Sequence, residues 1–342
     1  LRRDVAALLS RTKNPFFEHG EAEYLLAERD GVVVGRIAAI SNRLHNETHG
    51  DRVGFFGFFE CIDDQAVADA LFAAAADWCR SRSHDILRGP TSFSVNDECG
   101  LLVDGFEFPP ALMMPHNPRY YVELVERAGF VKARNLLVYQ GGREDVYVPV
   151  PERLARGTEL IRQRLGITLR SLDMSRFEQE VETIKEIYNS AWEKNWGFIP
   201  MTEKEIDHLA EQFRPVVVPE FVPIAEKDGK VIGFGIALPD INAVLRTNRS
   251  GYLLPVLPRL LWALKRRTLR RSRIILLGVV PEYRGKGVDA MLYHWIWTKA
   301  EHLGFRWGEA GWILEDNAAM NAGLEKMTFR VYKTYRLYDR PI

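Results

Sequence analysis

The run Leu276-Leu277-Gly278-Val279-Val280-Pro281-Glu282-Tyr283-Arg284-Gly285-Lys286-Gly287-Val288-Asp289 carries the clearest chemistry in the chain. An apolar stretch ends at a proline, a glycine-rich loop bearing Arg284 and Lys286 follows, and a helical pattern begins at Val288. Glycines let backbone N–H groups approach a ligand closely, and a helix N-terminus adds partial positive charge. With two full cations beside them, these groups suit a pyrophosphate.

The elements that must hold this loop are readable on either side. A strand is expected at Ile274 to Val280, and a helix from Val288 to His302 with Val288, Met291, Leu292, Trp295 and Ile296 inward and Gly304 as its stop. Upstream, Ile167 to Leu172 reads as a strand, and Glu178 to Trp192 as an amphipathic helix with Val181, Ile184, Ile187, Tyr188 and Ala191 on one face. Thr202-Glu203-Lys204-Glu205 opens a further helix with a capping-box pattern, and Asp228-Gly229 marks a hairpin. Downstream, a strand at Phe305 to Leu314, a helix at Ala318 to Lys326 and a strand at Arg330 to Tyr338 close the chain. This is a mixed α/β order, with antiparallel strands first and a β-turn-α unit later.

The chain also repeats itself. Ala27-Glu28-Arg29-Asp30-Gly31 and Ala225-Glu226-Lys227-Asp228-Gly229 each run into an apolar strand, with the aspartates 198 positions apart (228 − 30). Glu126 to Phe130, leading to Tyr139, matches Glu325 to Phe329, leading to Tyr338, with an offset of 199 (338 − 139). Two agreeing offsets indicate a duplicated unit of about 200 residues. The closely spaced prolines Pro149 and Pro151 favour a boundary there, giving domains of residues 1–148 and 149–342.

Val279-x-Pro281-x-x-Arg284-Gly285-x-Gly287 resembles the acetyl-coenzyme A signature of the GNAT acyltransferase superfamily, and Glu315-Asp316-Asn317 with Leu324-Glu325-Lys326 and Phe329 resemble its last helix-strand unit. The resemblance implies two tandem GNAT-like domains, each a central, mostly antiparallel twisted sheet flanked by helices. It implies an acyl-coenzyme A co-substrate, with an acetyl or longer chain, and direct attack of an amine on the thioester. Val279, Val280, Arg284, Gly285, Lys286, Gly287, Val288, Asp289 and Asn317 would then bind the cofactor. Glu315 and Asp316 are the acids placed by motif to take the amine proton, with Glu309 third, and Trp192, Asn195 and Trp196 fall where the superfamily binds its acceptor.

Two positions depart from the superfamily pattern. Asp289 stands where Gly or Ala is usual, and a carboxylate there repels pyrophosphate unless it turns aside as a helix cap, which is the expectation. Leu324 stands where a tyrosine often serves as general acid. A thiol of pKa about 8.5 leaves largely unassisted, with Tyr332 and Tyr335 as substitutes in reach by sequence. In the first unit, the stretch Glu60-Cys61-Ile62-Asp63-Asp64-Gln65-Ala66-Val67 has no glycine and three carboxylates, so that unit reads as a degenerate partner. Its line Asn96-Asp97-Glu98-Cys99-Gly100-Leu101-Leu102 is either part of the acceptor cleft or a polar loop between elements.

Composition narrows the partners. The chain has 342 residues, 46% hydrophobic and 27% charged, with a formal net charge of zero, which argues against DNA binding. Cys61, Cys79 and Cys99 lack metal-ligand spacing, and no metal is expected. No signal peptide is visible at Leu1-Arg2-Arg3-Asp4, so a cytoplasmic location is expected, although a chain that begins without Met is compatible with an upstream targeting segment. Residues 251–273 are apolar first and strongly basic afterwards, too broken by Pro255, Pro258 and Arg259 to span a bilayer but suited to a peripheral membrane contact. A small-molecule or lipid-like amine acceptor fits that pattern. The tandem order also resembles Fem-type peptidyl transferases, which take aminoacyl groups from tRNA, and a non-catalytic binding protein is the third alternative.

Overall fold

The structure, a computed structural model, describes residues 1–342 except Tyr147, Glu193 and Lys194, and only the backbone of residues 190–192. The first half contains helix α1 (Arg2–Leu8), the hairpin β1 (Gly20–Arg29) and β2 (Val32–Asn42), α2 (Arg43–His49), β3 (Val53–Cys61), α3 (Gln65–Arg80), β4 (Ile86–Gly89), β5 (Leu101–Asp104), α4 (Tyr120–Arg127) and β6 (Val131–Gly142). The second contains α5 (Glu152–Leu165), β7 (Thr168–Ser171), α6 (Phe177–Trp192), α7 (Glu203–Phe213), the hairpin β8 (Pro223–Lys227) and β9 (Lys230–Pro239), and α8 (Asn242–Leu245). It continues through α9 (Leu257–Lys265), β10 (Arg271–Val279), α10 (Val288–His302), β11 (Trp307–Leu314), α11 (Ala318–Lys326) and β12 (Arg330–Pro341).

The repeat is a structural one. Asp30 and Gly31 turn the first hairpin at φ +52° and +76°, and Asp228 and Gly229 turn the second at φ +50° and +76°. Positive φ at both central residues matches the right-handed twist of the flanking strands, and Asp-Gly tolerates it. A bulge follows at the same place in each hairpin, between Ala27 and Glu28 and between Ala225 and Glu226. Helices α3 and α10 follow the third strand of their hairpin units, and β6 and β12 begin and end 199 residues apart (330 − 131 and 341 − 142).

Among the described residues the strands make one sheet, in the order β1-β2-β3-β4-β12-β6-β11-β10-β9-β8-β7, with β5 also on β12. Pairing is antiparallel except for β3 with β4 and β10 with β11. Each half has given its last strand to the other: β12 lies on β4, β6 lies on β11, and the two exchanged strands pair with each other from Arg330↔Gln140 to Asp339↔Val131. One apolar cluster joins the halves, with Cys99, Leu102, Leu136 and Val138 packed with Trp307, Leu314, Tyr332 and Tyr335.

Local chemistry sets the element ends. Thr202 and Glu205 form a reciprocal capping box at the start of α7. Helix α3 buries Val67, Ala68, Leu71, Phe72, Ala75, Ala76 and Cys79, a stripe at helical spacing that faces the sheet. Helix α10 buries Val288, Met291, Leu292, Tyr293 and Ile296. Trp295, expected inward, is instead half-exposed because its indole N–H donates to the Glu220 carbonyl at 3.0 Å across the helix flank.

Candidate active site

Strands β10 and β11 run parallel and pair only from Arg271↔Trp307 to Ile274↔Ala310. Beyond that point β10 stays on β9 through a bulge between Ile274 and Leu276, while β11 shifts register on β6 between Ala310 and Ile313. The two strands therefore part, and a cleft of about 180 Å³ opens between Ile275, Leu276 and Leu277 on one side and Gly311, Trp312 and Ile313 on the other. Strand edges that part in this way present backbone N–H and C=O groups no longer paired with each other, and these suit an extended amide-bearing ligand.

Arg273 fixes the mouth of the divergence. Its Nη2 donates to the Gly311 carbonyl at 2.7 Å and its Nη1 to the Leu112 carbonyl at 2.5 Å. Glu309, fully buried, sets its carboxylate 3.0 Å from the Arg273 Nε and accepts from the Tyr332 hydroxyl.

The first half reaches into this cleft. Val95, Asn96 and Asp97, on the loop between β4 and β5, line it together with Tyr188 from α6 and Asn195, Trp196, Phe198 and Met201 from the segment after α6. The Tyr188 hydroxyl donates to Asn96 Oδ1 at 3.1 Å, and Asn96 Nδ2 donates to the Ile199 carbonyl at 3.1 Å. Asp97 accepts from the Ser94 hydroxyl at 2.9 Å. Burial pushes its carboxyl up to about 7, the Ser94 bond partly opposing the rise and the Glu205 charge adding to it. A carboxyl that titrates near neutrality on a cleft wall is suited to accept a proton there. The sequence offered this line either as part of the acceptor cleft or as a polar loop, and the structure places Asn96 and Asp97 on the cleft wall.

On the opposite face of the sheet lies the glycine-rich loop. Gly285 and Gly287 take φ +69° and +85°, and Gly287 is the N-cap of α10 with no side-chain cap. A helix start without a side-chain cap among the described residues is of the kind that suits an anion. A Cβ on Gly287 would stand 2.5 Å from the tip of the Ile161 side chain on α5, which can turn aside, so it is the positive φ that calls for glycine here. Arg284 Nε donates to the Val279 carbonyl at 3.3 Å, and the Lys286 ammonium lies 5.0 Å from the Tyr283 ring centre. Asp289 does not cap the helix as expected. It sits two residues inside, where the backbone is already helical, whereas an N-cap aspartate needs extended backbone to fold its carboxylate back. The equivalent helix start in the first half is closed: Asp64 caps α3, accepting from Ala66 N at 2.9 Å and Val67 N at 3.3 Å, and pairs with Arg29.

The residues placed by motif are dispersed. Glu315 pairs with Lys132 at 2.8 Å and accepts from Asn135 N at 3.0 Å, and Asp316 pairs with Arg134 at 2.8 Å; both face β6 and neither lines the cleft. Asn317 does line it while capping α11 at Met320 N. Tyr335 donates to the Pro115 carbonyl and Tyr332 to Glu309, so both hydroxyls are engaged away from the cleft, and Leu324 is buried in the core. Asn195 and Trp196 border the cleft, and Trp196 lies 4.7 Å from the Arg88 guanidinium and 5.2 Å from that of Arg134. The Trp192 side chain, Glu193 and Lys194 lie outside the described residues.

Parallel strands that part beside a glycine-rich helix start, within a duplicated mixed sheet, define an acyltransferase of the tandem GNAT kind. Residues 181–329 match the acetyltransferase (GNAT) family, and the chain belongs to that family. It is 39% identical to the bacterial ceramide synthase of Caulobacter vibrioides, over 98% of this chain and 88% of that protein. It is 35% identical to Protein YghO of Escherichia coli, over 96% and 85%. The fold is also that of the tandem GNAT protein from the clavulanic acid biosynthesis pathway, with a TM-score of 0.53 at 13% identity over 96% of this chain and 84% of that one.

Proposed function

We propose that this enzyme transfers an acyl group from a coenzyme A thioester to the amine of a long-chain, lipid-like acceptor, with the reaction centred where β10 and β11 part. The observation that carries this reading is the cleft where the two strands part, bordered by Asp97, on the strand that leads directly into the glycine-rich start of α10. In this reading the pyrophosphate rests on Arg284, Gly285, Lys286, Gly287, Val288 and Asp289, with Val279, Val280 and Asn317 along the pantetheine arm.

The acceptor amine attacks the thioester carbonyl, a C–N bond forms, and the C–S bond breaks as the tetrahedral adduct collapses to amide and thiolate. The proton lost by the amine passes to the Asp97 carboxylate, and the thiolate, of pKa about 8.5, departs without a dedicated acid. Asp97 is favoured over Glu315 and Asp316 because it borders the cleft and they are held by Lys132 and Arg134. Kinship with a ceramide synthase, an enzyme named for an amide of a fatty acid and a long-chain amino alcohol, supports a lipid-like acceptor and favours acyl thioesters over aminoacyl-tRNA.

Such an acceptor is met at a membrane, and α9 offers a surface for one. Tyr252, Leu254, Leu261 and Trp262 are exposed, Arg259, Lys265, Arg266 and Arg267 are exposed beside them, and no acidic residue occurs between Asp240 and Glu282. Apolar side chains with a basic fringe suit the interface of an anionic bilayer. No helix among the described residues is long and apolar enough to cross it.

The test is to incubate the purified protein with hexadecanoyl-coenzyme A or acetyl-coenzyme A and sphinganine, following thiol release and amide formation by mass spectrometry. Amide product dependent on protein supports the reading. Binding of neither thioester, with no thiol released, would sink it.

A further inference from the structure

A second, wholly apolar groove adjoins the cleft and has no part in the transfer as described so far. It runs between α6 and α7 over β9 and β10, with a volume of about 70 Å³, walled by Val181, Ile206, Ala210 and Val217 among others. Tyr188, Met201, Leu209, Phe213 and Leu276 line both the groove and the cleft, so the two spaces adjoin. Its walls are hydrocarbon apart from the Tyr188 ring, whose hydroxyl is turned to Asn96. A polar ligand would find no partner in it, and nothing charged could enter without a large desolvation cost.

We propose that this groove holds the hydrocarbon chain of the acyl donor and thereby selects long-chain over short-chain thioesters; the proposal rests on the reading of the cleft as the site of acyl transfer. Position decides between the two hydrocarbon chains that the reaction would bring together. Leu276, on the strand along which the thioester arm is placed, is one of the residues that the groove shares with the cleft, so a chain attached at the thioester carbonyl lies beside it. The acceptor approaches from the Asp97 side, on the loop from the first half. The helix pair gives the groove adjustable walls: α6 presents Val181 and α7 presents Ala210, which is half-buried and the smallest side chain among the walls. Each methylene seated there is worth about fourfold in affinity, so a few methylenes separate long from short donors clearly.

Ala210→Trp and Val181→Phe fill the groove from opposite walls, and neither residue borders the cleft. Binding of hexadecanoyl-coenzyme A and acetyl-coenzyme A is measured by calorimetry on the intact protein and both variants, with thermal unfolding as a check on folding. The wild type should bind the long donor at least tenfold more tightly than the short one. At least one variant that still unfolds cooperatively should lose that preference by tenfold or more, while its affinity for acetyl-coenzyme A stays within about threefold. In a turnover assay with acetyl-coenzyme A, the preference for acceptor chain length should be unchanged. Equal affinity of the wild type for the two donors, or an unchanged donor preference in folded variants, overturns the proposal, as does a variant that alters only the acceptor preference. A wild type that binds neither donor would instead fail the acyl-transfer reading itself, a separate outcome. Loss of cooperative unfolding in both variants would also count against the groove, since it would make these walls core packing.

Discussion

The Arg273 guanidinium bonds to the Gly311 carbonyl at 2.7 Å, so the two strands that part to make the cleft are tied together at the point where they part. The pin is itself held: Glu309 lies 3.0 Å from Arg273 Nε, with side chains 0% and 6% exposed respectively. A buried charge deprived of its partner is costly. Glu309→Leu is therefore expected to lower the unfolding free energy by about 3–5 kcal/mol in urea denaturation. A loss under about 1 kcal/mol would show that the pair contributes little beyond shape.

Asp97 predicts the pH profile. With its carboxyl pushed up to about 7, kcat/KM should rise with pH through that value, and Asp97→Asn should reduce kcat by about 10²–10⁴. An activity unaffected by the substitution would move the base elsewhere in the cleft.

The same group predicts a trend in stability. Its folded pKa lies above the unfolded value of 3.8, so the folded state binds the proton more tightly, and the contribution is fully present at low pH. It is lost as pH rises from about 4 to about 7. Asp97→Asn should flatten that part of the stability curve, read as urea midpoints at several pH values, and an unchanged slope would refute the assignment.

Asp289 stands in the first turn of α10 without capping it, where its charge competes with a phosphate for the same donors. Asp289→Asn should tighten coenzyme A binding about twofold to fivefold at low ionic strength, with the gain shrinking as salt is added. Calorimetry at two salt concentrations measures this, and weaker binding by the variant would mean that the carboxylate helps to hold the ligand.

The exposed side chains of α9 and the loop before it predict binding to anionic vesicles. Leu254→Ser with Trp262→Ser should abolish cosedimentation with phosphatidylglycerol vesicles, and binding to neutral phosphatidylcholine should be weak for both proteins. Equal sedimentation of variant and wild type would remove the membrane from the proposal.

What the sequence disclosed was what local chemistry determines. Asp-Gly pairs impose their own turn, Thr202 with Glu205 imposes a cap, and Gly285 and Gly287 take the positive φ that the loop needs, each within a few residues. Helix α11 was readable from Ala318 to Lys326 for the same reason. What stayed hidden depends on distant partners. β6 and β12 share their pattern and offset, so no feature of either says which neighbours it will choose. Asp97 is one acid among many until the second half encloses it. The parting of β10 and β11 is a matter of register, set by bulges at Ile274 and Ala310 that no residue type signals.

The exchanged strands set a timetable for biosynthesis. β4 ends at Gly89, whose partner on β12 is Tyr338, so 249 positions (338 − 89) must be translated before that edge begins to be covered. At about 5–20 residues per second the wait is on the order of ten to fifty seconds. Throughout it, the nascent chain presents an unpaired β-edge beside an already apolar face, the situation in which strands recruit the wrong neighbour. Neighbouring ribosomes on one message would hold such chains side by side, and the first half of one could accept the β12 of another. Dimers interlocked in this way, rather than misfolded monomers, are the error this architecture invites during crowded expression.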